Sequence, residues 1–230
     1  MSSSSSKRTY YNIGIDILKK IGKGSKVIGL GSGSTTASVV KEIARYLDKD
    51  LEFITTSLQI KIIAENLGLN VVDENHIPDV DIVFDGADQI DSKFNMIKGG
   101  GGALLKEKIL ISAAKQVFII ADSTKFVETF DIAVPIEVHP FARSTIVERL
   151  KEIGSESKLR VIDKGYPFIT ENGNIIVEGT FNSSTNIQKK ELEIKNIPGV
   201  IEVGLFTRHA DIYYKIRNDG FDTISSSPIH

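Results

Sequence analysis

Four short segments hold residue types suited to chemistry on a small phosphorylated molecule: "GLGSGST" (29–35), "VFDGAD" (83–88), "IKGGGGALLKEK" (97–108) and "ADSTK" (121–125). In the first, a glycine turn around Gly33 opens onto a helix start. Ser32, Ser34 and Thr35 there offer hydroxyls beside free backbone N–H groups, a cradle for a phosphate monoester. The plainer alternative is a tight turn with Ser34 or Thr35 as helix cap. In the second, Asp85 and Asp88 flank Gly86 and Ala87 just past an apolar strand. Carboxylates so placed can grip sugar hydroxyls or shuttle protons, or bind Mg²⁺; Asp and Gly also simply favour turns. Asp91 reads as a surface turn residue.

The third segment is the sharpest. If Ala103 starts a helix, the neighbours of Glu107 one turn away are Ala103, Leu104, Leu110 and Ile111, all apolar, so Glu107 lies on a face that should be buried. An unpaired buried carboxylate is costly, and its pKa would tend upward, as a general base requires. Lys106 has similar apolar neighbours, so periodicity leaves both residues open, and a solvated "KEK" face is a third possibility. Four consecutive glycines, Gly99 to Gly102, are expensive to order. They read as a side-chain-free strip between Lys98 and the helix. Lys98 and Lys125 add positive charge near the same sheet edge. This inventory fits proton abstraction beside the carbonyl of a small phosphosugar. A dinucleotide site fits poorly: the third fingerprint glycine would be Ser34, and the second strand ends Thr55, Thr56, Ser57 without an acid. A phosphate-binding P-loop lacks its Gly-Lys-Ser/Thr.

These segments need elements to carry them. "KVIGLGSGSTTASVVKEIARYL" reads as strand, turn and helix; "LEFITTS" as a strand; "LQIKIIAENLG" as a helix stopped at Gly68; "NVVD" and "VDIVFDG" as short strands. A helix over 104–115 and the strand "VFIIAD" follow. Strands alternating with helices predict a Rossmann-like parallel sheet with helices on both faces, and ligands bind such sheets beyond the carboxyl ends of the strands. After about Asp131 the order becomes β-α-β-β-α-β: "VPIEVH", a helix over 143–153, "KLRVID", "NIIVE" after an "ENGN" turn, a helix over 186–195, and "VIEVGLF". That predicts an inserted ferredoxin-like α+β domain, with "ADIYYKIR" returning to the first sheet. The expected division is a catalytic domain of residues 1–130 and 207–230, and a small domain of 131–206.

Composition narrows the function. With 230 residues, 41% hydrophobic and 25% charged, the chain is ordinary globular material. A net charge of −2 gives no basic excess for nucleic acid. The absence of cysteine excludes disulfides and thiol chemistry, and four scattered histidines argue against a zinc site, so no metal is expected. The N-terminus shows no apolar signal core, and no apolar run is long enough to span a membrane, which makes cytoplasmic the expected address. Ser2 to Ser6 read as a frayed end.

"GLGSGST", "DGAD", "IKGGGGALLKEK" and "IADSTK", in this order and at these separations, resemble type A ribose-5-phosphate isomerase. The similarity continues through "PIEV", "NGN", "IPGVIEVGLF" and "AD", so it spans nearly the whole chain from about Lys26. The resemblance implies interconversion of D-ribose 5-phosphate and D-ribulose 5-phosphate through an enediolate, in the non-oxidative pentose phosphate pathway, without metal or cofactor. It implies Glu107 as the base, with Asp85, Asp88 and Lys98 assisting. Substrate-binding positions fall on Ser32, Gly33, Ser34 and Thr35, on Asp85, Gly86, Ala87 and Asp88, on Lys98, Gly99, Gly100 and Gly101, and on Lys125. It also implies a homodimer or homotetramer. Three departures stand out: Ser32 in place of a frequent threonine, Gly102 in place of a common alanine, expected to loosen the loop slightly, and "TTSLQ", which leaves the role of Ser57 open. An N-terminal phosphate ligand does not align; Lys7 and Arg8 are candidates. The rival readings are a coenzyme A transferase or amino-sugar-phosphate deaminase on a related sheet, and a non-catalytic sugar-phosphate sensor.

Overall fold

Val27–Leu30 is an apolar run whose four residues are all buried, and it forms β1, an inner strand of the main sheet. The computed structural model describes residues 3–22, 24–181 and 186–225. In chain order, α1 (Ser3–Lys20) precedes β1, which is followed by α2 (Gly33–Ile43), β2 (Glu52–Thr55), α3 (Leu58–Asn66) and β3 (Asn70–Val71). Next come β4 (Val80–Asp85), β5 (Gln89–Ile90), β6 (Met96–Ile97), α4 (Leu104–Ala113) and β7 (Gln116–Asp122). Then follow β8 (Val134–Val138), α5 (Arg143–Glu152), β9 (Glu156–Leu159), β10 (Ile175–Thr180) and α6 (Ile187–Lys195). The chain ends with β11 (Val200–Val203), β12 (Leu205–Phe206), β13 (Ile212–Arg217) and β14 (Gly220–Ser225). Among the described residues no helix is long and apolar enough to cross a membrane.

Contacts divide the chain into two units. The first comprises residues 1–87, 106–125 and 209–230; the second comprises 88–105 and 126–208. The first unit holds a seven-stranded sheet in the order β14-β13-β7-β4-β1-β2-β3, parallel except for the β13–β14 hairpin. Its inner strands β1, β4 and β7 are near-continuous buried runs, as strands covered on both faces must be. The order places β2 and β4 on either side of β1, so the connections leave β1 in opposite directions, the switch-point arrangement beside which open α/β sheets bind ligands. Gly68 stops α3 as expected: at φ +76° it closes the helix while the Leu69 N–H donates to the Ala64 carbonyl. Ser57 has a clear local task, because its hydroxyl accepts the Ile60 N–H and caps α3.

In the second unit, β8-α5-β9-β10-α6-β11 forms a four-stranded antiparallel sheet ordered β11-β8-β10-β9, the ferredoxin-like arrangement expected. Its core gathers Ile136, Val138, Ile146, Leu150, Val177 and Ile194, all essentially inaccessible.

Four details differ from the sequence reading. The serine run begins α1 at Ser3 instead of fraying, although Met1 and Ser2 lie outside the described residues. "KLRVID" is not a full strand: β9 runs over 156–159, after which the chain leaves the ladder for an arm bridged between Val161 and Pro167, with Lys164 at φ +64°. "VIEVGLF" is two strands, because at Gly204 a side chain would collide with the Lys98 and Pro135 carbonyls. The chain kinks there, and β12 leaves β8 to pair with β6. β5, β6 and β14 were not foreseen: the first two are two residues long, and β14 follows a tight turn at Asn218 and Asp219.

Candidate active site

In the first unit, the turn after β1, the end of β4 and the first turns of α4 converge on one another. Of the two residues that periodicity leaves open, the helix buries Glu107, at 3% exposure, on a face shared with the buried Leu110 and Ile111, while Lys106 is only partly covered. The Ser32 hydroxyl donates to Glu107 Oε1 at 2.5 Å, so this carboxylate enters the interior with a donor in place. The Ser32 N–H donates to Asp85 Oδ1 at 3.1 Å, and the Gly86 N–H donates to the same oxygen at 2.7 Å. Asp85 is 1% exposed. One serine therefore links the helix carboxylate and the strand-end carboxylate.

Ser32 occupies the N-cap position of α2 but makes no side-chain cap, and neither Ser34 nor Thr35 caps the helix. The hydroxyl that would cap is turned to Glu107 instead. Gly33 lies at φ +86°, Ser34 is exposed with its carbonyl accepting the Ser38 hydroxyl at 2.7 Å, and Thr35 is half-buried. Gly31 decides how closely the strand ends approach, since a methyl there would fall on the Asp85 carboxylate. Lys125 is exposed in the turn after β7. Beside it, hydrogen bonds from the Thr124 N–H and hydroxyl hold the Asp122 carboxyl below the usual carboxylate range, with the Lys125 charge adding to the effect. Lys7 and Arg8 are exposed on α1.

In the second unit, Asp88 and the glycine strip meet. Asp88 Oδ2 accepts the Gly100 N–H at 2.7 Å, and the Asp88 N–H donates to the Ile97 carbonyl at 2.8 Å. Lys98 is 2% exposed, with its Nζ 5.6 Å from the centre of the Phe206 ring. Gly99 (φ +104°) and Gly102 (φ +79°) need backbone that other residues rarely adopt. The strip is not slack at Gly102, contrary to expectation, because the Phe168 ring fills the space a methyl would take. Asp91 is the turn residue expected, accepting the Lys93 and Asn95 N–H groups. A cavity of about 420 Å³ in this unit, lined in part by Asp91, Glu128, Phe130, Phe181 and Lys190, includes none of these site residues. Among the described residues no cluster of three or more His, Asp or Glu is placed to hold a metal ion.

A mostly parallel sheet with its switch point at β1, and a buried glutamate and aspartate joined by a half-buried serine at the strand ends, defines a Rossmann-like α/β protein with a polar cluster there but no dinucleotide fingerprint. Known proteins narrow that class. The family model of ribose 5-phosphate isomerase A (phosphoriboisomerase A) matches residues 52–220, and the chain belongs to that family. The ribose-5-phosphate isomerase A of Korarchaeum cryptofilum is 42% identical over 203 residues, which is 86% of this chain and 88% of that protein. The solved structure of ribose 5-phosphate isomerase A from Methanocaldococcus jannaschii superposes with a TM-score of 0.86 at 33% identity, covering 96% of this chain and all of the other. A D-ribose-5-phosphate isomerase solved in complex with phospho-erythronic acid gives a TM-score of 0.86 at 34% identity, covering 94% of this chain and 97% of the other.

Proposed function

We infer that this protein is an aldose–ketose isomerase that interconverts D-ribose 5-phosphate and D-ribulose 5-phosphate, a step of the non-oxidative pentose phosphate pathway. The observation that carries the reading is family membership along most of the chain. The buried Glu107 with its serine donor is the local feature that agrees with it. This reading is favoured over a transferase, a deaminase or a sugar-phosphate sensor, since the relatives that match most of the chain are isomerases by name.

Glu107 takes the proton from C2 of the open-chain aldose and returns it to C1, while a second proton passes from the C2 oxygen to the C1 oxygen. The intermediate is an enediolate, and no electrons leave the substrate, so no cofactor is required. Asp85 and Asp88 hold sugar hydroxyls and assist ring opening. The Lys98 ammonium offsets the negative charge that develops on the enediolate oxygens, a fixed-charge contribution that grows toward the transition state. The turn Ser32 to Thr35 and Lys125 bind the phosphate, and the strip Gly99 to Gly101 lets backbone approach the sugar. We further propose that the chain works as a catalytic domain (1–130 and 207–230) with a small domain (131–206), as a homodimer or homotetramer in the cytoplasm.

The test is to follow ribose 5-phosphate turnover directly, by NMR of both sugars in chelator-treated buffer. Equilibration of the two pentose phosphates is expected, and a chain that leaves ribose 5-phosphate unchanged removes the reading. Lys125→Ala is expected to raise KM about fivefold to tenfold with kcat little changed, since an exposed ammonium grips a phosphate in ground and transition states alike. Added salt should raise the parent's KM more than the variant's. A parental KM would take Lys125 out of the phosphate site.

A further inference from the structure

Arg160 follows β9 and is part of none of the motifs above, yet its side chain is committed to the glycine strip. Its Nη1 donates to the Gly99 carbonyl at 2.9 Å and to the Gly100 carbonyl at 3.1 Å. Its Nε donates to Glu178 on β10 at 2.5 Å, and its guanidinium lies 5.5 Å from the centre of the Phe168 ring. The Arg160 backbone is held as well: its N–H donates to the Ile176 carbonyl at 2.8 Å, and its carbonyl accepts the Phe168 N–H at 3.0 Å. A planar, permanently charged fork suits two neighbouring carbonyls in a way a lysine ammonium does not. The Gly100 residue is therefore gripped twice, its carbonyl by Arg160 and its N–H by Asp88 at 2.7 Å. Phe168, on which the guanidinium rests, also fills the space beside Gly102.

Four glycines in sequence lose more conformational freedom on ordering than any other residues would. Something outside the strip must supply the order, and these contacts identify it. We propose that Arg160 is a positioning residue for the isomerase reaction: by holding the Gly99 and Gly100 carbonyls it sets the placement of Lys98 before the strip and of Asp88 bound to it. This rests on the reading that Lys98 and Asp88 act on the substrate. Since Lys98 acts chiefly on charge that develops during the reaction, a loosened strip costs turnover and the affinity for enediolate-like anions more than it costs substrate binding.

The test measures kcat and KM for ribose 5-phosphate, and Ki for phospho-erythronic acid, whose carboxylate sets anionic oxygens at the end of a phosphorylated polyol as the enediolate does. Arg160→Met is expected to raise Ki and lower kcat by about tenfold or more each, with KM within about threefold of the parent. Arg160→Lys should fall between, since an ammonium keeps the charge without the fork. Ki and KM do not depend on how much of the protein is active, so a fall in kcat with both unchanged would mean a merely structural role and overturn the proposal. Parental kcat and Ki, or Ki and KM rising by the same factor, would overturn it equally. If Arg160→Met does not fold, the same criteria apply to Arg160→Lys, where a parental Ki and kcat are decisive. A parent that does not isomerise ribose 5-phosphate removes the function itself, an outcome separate from any behaviour of the variants.

Discussion

Glu107→Gln is expected to lower kcat for ribose 5-phosphate by about 10³-fold, roughly 4 kcal/mol of barrier, while KM stays within about threefold. Glutamine has nearly the volume of glutamate, so the apolar setting of Ala103, Leu104, Leu110 and Ile111 remains filled. The amide oxygen can still accept the Ser32 hydroxyl that Glu107 Oε1 now holds. The substitution thus removes the proton acceptor and little else. The fold should persist, because the side chain keeps nearly its volume and an oxygen for the Ser32 hydroxyl. Single-turnover exchange of the C2 proton with deuterated solvent gives the same answer independently: the variant should show none on the parent's timescale. A variant within tenfold of parental kcat would transfer the role of base to another residue.

Gly31→Ala is the second large effect. The Gly31 backbone is not left-handed, and its N–H donates to the Phe84 carbonyl at 2.9 Å, so alanine suits the conformation. The obstacle is Asp85, whose carboxylate lies where the methyl must go. That carboxylate has nowhere convenient to move: the Ser32 and Gly86 N–H groups hold it, and it is 1% exposed at the end of β4. The expected result is a fall in kcat/KM of about 100-fold or more from a misplaced Asp85 and Ser32. Overpacking should cost about 1–3 kcal/mol, a melting temperature lower by roughly 2–4 °C per kcal/mol for a chain of this size. Gly24→Ala is the control, since its added methyl meets nothing within 4 Å. Parental kcat/KM in Gly31→Ala would show that the Asp85 position is not critical.

The central sheet was legible because buried parallel strands are written as unbroken apolar runs, and "VIGL", "VFD" and "VFIIAD" end where glycines and acids begin. The ferredoxin-like order was legible from the succession of apolar segments and the "ENGN" turn, and the helix expected over 186–195 is capped in the structure by Asn186, whose side chain accepts the Lys189 N–H. For α4, periodicity named a buried face but not its polar member. Lys106 and Glu107 both have apolar neighbours, and the resemblance, not the pattern, favoured Glu107. What escaped depends on partners far along the chain. Ser32 and Glu107 are 75 residues apart, and Arg160 stands 61 and 60 residues from the carbonyls it holds. Gly31 read as a turn glycine, but its requirement comes from Asp85, with which it shares no local pattern. β5, β6 and β12 are too short to show any period; β5 and β6 pair with each other, and a kink at Gly204 carries β12 to β6.

β13 lies beside β7 in the main sheet, with the Val117 N–H donating to the Asp211 carboxylate across 94 residues of sequence. The order of synthesis therefore differs from the order of assembly. The strands β1 to β4 and β7 are all made before residues 126–208 of the second unit, yet β7 keeps an unpaired edge until residues 212–217 arrive after them. Contacts of such sequence separation slow folding, and an open strand edge in the interim invites pairing with another chain. Removing residues 212–225 would leave every proposed catalytic side chain in the polypeptide and still strike the sheet that carries Glu107 and Asp85. The stage at which the main sheet is expected to be most open to wrong pairing is therefore the interval before the β13–β14 hairpin closes on β7.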